Sequence, residues 1–182
     1  MNLNPILIRN IKHLTDARYF AAMGVDWMSM ALTNDPQSFA MWHTLADWIS
    51  GVKLAAEIDA NDEMLLAKAI IDAKPQGIVS AQNIAETIPS TTQLFLEVDS
   101  PDDVPEEPGI FYITTYDPNL LQEYIADINN ESVFLFSDWT KESLEEVIAK
   151  GFKGGICFSG GEEQETGMRD YELMDDLLEL LR

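Results

Sequence analysis

Gly154–Asp170 reads GGICFSGGEEQETGMRD, and the amphipathic stretch Tyr171–Arg182 closes the chain behind it. A short apolar run ends in a glycine pair, an acidic loop follows, and a helix is expected over the last twelve positions. In an α/β protein this is where a final strand completes a sheet and turns its C-terminal end toward a ligand. Glycines at such a turn let backbone N–H groups approach an anion, above all phosphate. The plainer reading of Gly160-Gly161 is an ordinary turn, so the preceding chain has to decide.

Backward from that turn, short apolar runs alternate with helical patterns. Strands are expected at Pro5–Arg9, Trp27–Leu32, Val52–Ile58, Gly77–Ser80, Gln93–Val98, Ile110–Thr115, Ser132–Phe136 and Gly155–Phe158. Between them, helices are expected over Thr15–Met23 with Thr15 as N-cap, Ser38–Ile49, and Asn61–Ala73 after a cap at Asp59 or Asn61. Further helices are expected over Pro118–Ile128 and Thr140–Lys150, the latter capped by Thr140 and stopped by Gly151, while Asn83–Ile88 has room for at most two turns. Asp99–Gly109, with five acids and three prolines, reads as a loop. Eight strands, each followed by a helix or a short stand-in, imply a parallel sheet with helices outside it. The fold class is α/β, a compact (β/α)8 TIM barrel in one domain over residues 1–182. An open doubly wound sheet competes, but it needs fewer units.

Composition narrows the function classes. The 11 basic and 32 acidic residues leave a net charge of −21, a field that repels nucleic acid and anionic membranes. The same field opposes capture of a phosphorylated substrate unless the pocket is locally positive. The single cysteine, Cys157, excludes an internal disulfide and a cysteine-based zinc cluster, and it sits in an apolar strand as a small core residue. His13 and His43 lack metal-ligand spacing, so no metal and no cofactor is expected. No membrane-length apolar run and no basic leader is present, and the expected location is cytoplasmic.

Three stretches resemble the phosphoribosylanthranilate isomerases of tryptophan biosynthesis. ILIRNIKHLTDARYFAAMGVDWMSMAL is similar to that family's opening of KICGIT, DAxxAxxxGAD and GFxF. ICFSGGEEQETGMRDYELMDDLLELL is similar to its DVSSGVE, GxKD and final helix, and FLFSDWTKESLEEVI to its LLAGGLTPENV. The resemblance implies a barrel with its site at the C-terminal strand ends and an Amadori rearrangement of an aminoaldose phosphate. That reaction moves one proton between adjacent carbons and needs an acid, a base and a phosphate anchor.

The family's chemical positions are changed in this chain. Arg9 stands where the resemblance implies the cysteine base, with Asn10 beside it, and arginine stays protonated. The strand-six acid falls at Ile113 or Thr114, neither of which carries a carboxylate. Ser137-Asp138 replaces one phosphate turn, Gln37 replaces a substrate-pairing arginine, and VSAQ ending at Gln82 replaces QLHG. The turn Ser159-Gly160-Gly161-Glu162 keeps the pattern, and these first three residues are the expected phosphate contacts. Scaffold features persist at Asp16-Ala17, Gly24, Asp26, Gly167 and Arg169-Asp170.

The pocket expected at the strand ends holds Arg9, Gln37, Glu57, Tyr116 and Asp138, with Glu97 or Asp99, Thr115 and Ser159 near it. Arg9 among these carboxylates reads either as a ligand contact or as a buried ion-pair network plugging the site. Three functions remain. The first is an isomerase-like barrel without isomerisation, binding a small phosphorylated or polyhydroxylated ligand or acting as a regulatory paralogue. The second is an active aldose–ketose isomerase with a relocated acid/base pair such as Asp99 and Asp138. The third is a protein-interaction scaffold.

Overall fold

The apolar runs form eight strands: β1 (Ile6–Arg9), β2 (Trp27–Ala31), β3 (Lys53–Glu57), β4 (Gly77–Ser80), β5 (Gln93–Val98), β6 (Ile110–Thr115), β7 (Val133–Phe136) and β8 (Gly155–Ser159). In the computed structural model, which describes residues 4–100, 109–120, 131–160 and 171–182, each strand pairs in parallel with the next. The ring closes through β8 on β1, where Leu7 faces Cys157 and Arg9 faces Ser159 in register. This is the (β/α)8 barrel expected from the alternation.

Period-two alternation sorts the strand residues onto two surfaces. Leu7, Trp27, Ala55, Val79, Phe95, Ile113, Phe134 and Cys157, one from each strand, form one buried cluster that fills the barrel. Their sequence neighbours, such as Ile6, Ile8, Met28, Leu94, Tyr112 and Leu135, join a larger cluster beneath the helices. Inside the ring, Phe95 meets Trp27 edge-on at 4.9 Å and Phe134 at 5.5 Å between ring centres. Such a crowded interior needs small partners. A Cβ at Gly155 would sit 2.2 Å from the Phe134 ring, and one at Gly77 would sit 2.8 Å from Trp27.

Among the described residues the α-helices are α1 (Leu14–Ala22), α2 (Pro36–Trp48), α3 (Glu63–Lys68), α4 (Lys141–Ala149) and α5 (Glu172–Leu180). Helix α3 runs on into a π-helical turn, Ala69–Ala73, that ends on left-handed Lys74. Several helix starts differ from the sequence expectation. Helix α1 begins before Thr15, with His13 at the N-cap position and no side-chain capping bond from it. Helix α2 starts two residues early, because Asp35 caps the Gln37 amide and Pro36 fits the first turn. Helix α3 is capped by Asp62, which accepts from the Leu65 amide, and neither Asp59 nor Asn61 does this. Residues 83–88 form a turn and no helix, closed by the Ile88 amide on the Ile84 carbonyl. Thr140 caps α4 as expected, its box completed by Ser143.

The last helix is tied to the first. Tyr171 donates its hydroxyl to the buried Asp16 over 2.6 Å, its ring stacks on Tyr19 at 4.0 Å, and the Tyr19 hydroxyl donates to Asp175. Residues 121–128 of the expected sixth-unit helix lie outside the described residues. Among the described residues, no helix is long and apolar enough to cross a membrane.

Candidate functional site

All eight strands point their C-terminal ends to one face, and three of the four charged strand residues collect there, Lys53 at the start of β3 being the exception. Arg9 ends β1, Glu57 ends β3, and Glu97 is the penultimate residue of β5. The alternation that buries Leu7, Ala55 and Phe95 in the ring carries these three, two residues further on, to its mouth. Arg9 reaches between the other strands. Its Nη2 donates to Glu57 Oε2 at 2.8 Å and its Nη1 to Glu97 Oε1 at 2.6 Å. Glu57 Oε1 accepts from the Ser29 hydroxyl at 2.6 Å and from the Asn10 amide at 2.9 Å. Asn10 can aim that amide inward because it takes a left-handed conformation, φ 58°, which asparagine tolerates better than most residues. The Phe136 ring lies 5.7 Å from the guanidinium carbon.

The electrostatics follow from this geometry. Burial alone would pull the Arg9 pKa down, but Glu57 and then Glu97 outweigh it and raise it. Burial would lift Glu57 as well, yet the Arg9 charge and the bonds from Arg9, Ser29 and Asn10 hold it below the usual carboxylate range. Both groups are therefore charged at neutral pH. Cys157 lies under them, wholly buried, and burial pushes its thiol far up. It is a core residue and not a nucleophile.

Beside the ion-pair cluster opens a cavity of about 570 Å³. Arg9, Glu57 and Glu97 face it from the barrel, and the loops after β2, β3 and β4 supply its rim through Asn34, Asn61 and Gln82. Leu32, Ile58, Leu65 and Val79 give it apolar walls. Its position along the mouth is thus on the β2–β4 side.

No protein-family model matches the chain, and no curated protein matches it in sequence. Solved structures do match. Phosphoribosylanthranilate isomerase from Thermus thermophilus superposes with a TM-score of 0.75 at 15% identity, over 97% of this chain and 98% of that one. The Thermotoga maritima isomerase gives 0.71 at 14% identity, over 97% of this chain and 98% of that one. Thiamine phosphate pyrophosphorylase from Bacteroides thetaiotaomicron gives 0.63 at 14% identity, over 98% of this chain and 94% of that one. The fold is that of the phosphoribosylanthranilate isomerases. At these identities the likeness is one of fold.

Against the isomerase pattern, the expected residues scatter. Arg9 and Glu57 line the cavity, as does Glu97. Gln37 does not; it is exposed in the first turn of α2, with its amide on Asp35. Asp99 and Asp138 are exposed, and neither lines the cavity. Tyr116 was expected in the pocket but is buried in the layer under the helices, stacked on Trp139 at 4.9 Å. The physical reason is parity. Tyr112 and Tyr116 are an even number of residues apart and both turn outward, whereas Ile113 turns into the ring.

Ser159 ends β8 opposite Arg9, partly buried. The Gly160 amide donates to the Arg9 carbonyl over 2.6 Å, which extends the β1–β8 ladder by one bond. That N–H is therefore already used. Gly161 and the acidic loop Glu162–Glu165 lie outside the described residues, as do residues 101–108 of the other acidic loop.

Sequence reading missed Ser29, although it lies two residues beyond the ring residue Trp27 and is the only polar side chain in WMSMAL. It also missed the amides of Asn34 and Asn61 as cavity residues. Their signal was weaker: each is one of several polar residues in a loop, three positions beyond β2 for Asn34 and four beyond β3 for Asn61.

Proposed function

We propose that this chain is a phosphoribosylanthranilate isomerase-like barrel that has given up the Amadori isomerisation and serves as a small-molecule-binding module at the barrel mouth. One observation carries the reading. At the end of β1, where the resemblance implies the catalytic base, Arg9 is locked between Glu57 at 2.8 Å and Glu97 at 2.6 Å. A guanidinium so paired cannot accept a proton from a substrate carbon, and it fills the space in front of strand β1. Two further features support it. Neither Ile113 nor Thr114 carries a carboxylate for the acid role, and the Gly160 amide is engaged by Arg9. A cavity at the mouth weighs against the interaction-scaffold reading, which expects no ordered pocket.

The test is a pair of measurements on the intact protein. Turnover is assayed with phosphoribosylanthranilate, and binding is titrated with its non-reactive reduced analogue. The expected result is no turnover and no saturable binding of the analogue. Turnover above background would return the chain to the isomerases and make Asp99 and Asp138 the first residues to mutate.

A further inference from the structure

We propose that the cavity on the β2–β4 side takes a small organic cation: a primary amine on a short hydrocarbon body with a second hydrogen-bond donor, as in diamines and amino alcohols. This names the ligand class of the site described above and rests on reading the barrel mouth as a binding site.

The hydrogen bonds around the rim set its polarity. A carboxylate only accepts, so an amide beside one must turn its nitrogen toward it. Asn61 Nδ2 donates to Asp59 Oδ1 at 2.8 Å, which turns the Asn61 carbonyl oxygen away to accept Gln82 Nε2 at 2.7 Å. That bond in turn leaves Gln82 its own carbonyl oxygen as the uncommitted end. Asn34 Nδ2 likewise donates to Asp62 Oδ2 at 2.6 Å, leaving its oxygen. Three loops are linked in this way, and each link uses one of an amide's two N–H bonds and leaves the side-chain oxygen of Asn34 or Gln82 open. These open amide oxygens, beside the carboxylates that line the same cavity, accept from a ligand rich in donors, and each amide keeps a second N–H for a ligand acceptor such as a hydroxyl.

Charge gives the same answer. Among the described residues, the cavity is lined by one guanidinium and four carboxylates, Glu57, Asp59, Asp62 and Glu97. Both terminal nitrogens of Arg9 already face a carboxylate, so Arg9 offers little to an anion. Glu97 gives only Oε1 to Arg9, and its side chain remains 39% exposed. Asp62 is held below the usual carboxylate range by the Leu65 amide and Asn34, and stays ionised. Among the described residues, no group of three or more carboxylate, imidazole or thiolate side chains is arranged to hold a metal ion. The apolar walls from Leu32, Ile58, Leu65 and Val79 fit a hydrocarbon segment.

The test uses three probes of one length and different charge: 1,4-diaminobutane, 1,4-butanediol and succinate. Calorimetric titration at an ionic strength of about 0.15 M screens the diffuse acidic surface beyond roughly 8 Å. Expected are a single saturable site for the diamine, binding of the diol weaker by roughly tenfold or more, and none of succinate. Glu97→Gln should weaken the diamine by roughly tenfold or more. Asp176→Asn, an exposed acid on α5 outside the cavity, should leave it unchanged. Ala81→Trp fills the cavity without altering charge and should abolish binding even if Glu97→Gln folds poorly. No saturable diamine binding, equal weakening by Asp176→Asn, or a preference for succinate would overturn the assignment. Those outcomes leave the loss of isomerisation standing, which only turnover or analogue binding overturns.

Discussion

The Gly160 amide donates to the Arg9 carbonyl over 2.6 Å. This bond joins the two positions where the resemblance implies a phosphate contact and a catalytic base, and it makes them parts of the β1–β8 seam. A Cβ on residue 160 would lie 2.8 Å from that carbonyl oxygen and 3.1 Å from Ile11 Cδ1. Gly160→Ala should therefore destabilise the barrel by about 1–3 kcal/mol, in the range of overpacking. Urea unfolding should show a lower midpoint without ligand present. An unchanged midpoint would mean that residue 160 is free to serve a ligand instead of the seam.

Arg9→Met removes the only positive charge among the described residues that line the cavity, while keeping much of the side-chain volume. It leaves Glu57, whose side chain is 18% exposed, as a buried carboxylate facing only Ser29 and Asn10. Breaking a buried pair from one side costs about 3 kcal/mol or more, chiefly through the stranded charge. Adding Glu57→Gln should recover part of that loss. If the double variant is no more stable than Arg9→Met alone, the pair is not the source of the cost. Arg9→Cys should show no isomerase turnover, since a strand-six carboxylate is also missing.

Much of this arrangement was legible in the sequence. The strands were found within about a residue at each end because each is a short apolar run stopped by glycine, proline or a polar cluster. Helix starts were read less well. Asp35-Pro36 is a cap and first-turn signal of its own, but the apolar face of α2 begins only at Phe39 and drew the expected start to Ser38. At the site, Arg9 and Glu57 could be placed from their strand positions. The Asn34–Asp62 and Asn61–Gln82 bonds could not, because they link separate loops whose meeting depends on the closed ring. Tyr116 was misassigned through parity: it follows the last residue of β6 at an even spacing from Tyr112 and shares the face of Tyr112 under the helices.

Acid should separate Glu57 from an ordinary surface carboxylate. Its folded pKa lies below the usual 4.5. A depressed carboxylate adds stability that is fully present above the unfolded value and is lost as pH falls through the folded one. Arg9, raised further above its ordinary value, stays protonated throughout and adds no slope there. The wild-type protein should thus be more stable than Glu57→Gln at pH 7, and the gap should close as pH falls below 4.5. Parallel stability–pH curves for the two proteins would rule this out.

The barrel interior offers a sharper test of packing. Gly155 on β8 leaves the space that the Phe134 ring from β7 occupies: an added Cβ would lie 2.2, 2.3 and 2.7 Å from three of its carbons. Phe134 is fully buried and also meets Phe95 and Phe111 at 5.5 and 5.4 Å between ring centres. The ring cannot retreat without disturbing both. Gly155→Ala should consequently cost about 3 kcal/mol or more, at the upper end for one added methyl. Phe134→Leu alone should also destabilise, by removing ring contacts. In the double variant the smaller side chain makes room for the methyl, so the two losses should fall short of additive by about 0.5–3 kcal/mol. A double-mutant cycle by urea unfolding measures that coupling directly. Strict additivity would mean that the two residues do not share one space, and the glycine on β8 would then need another explanation.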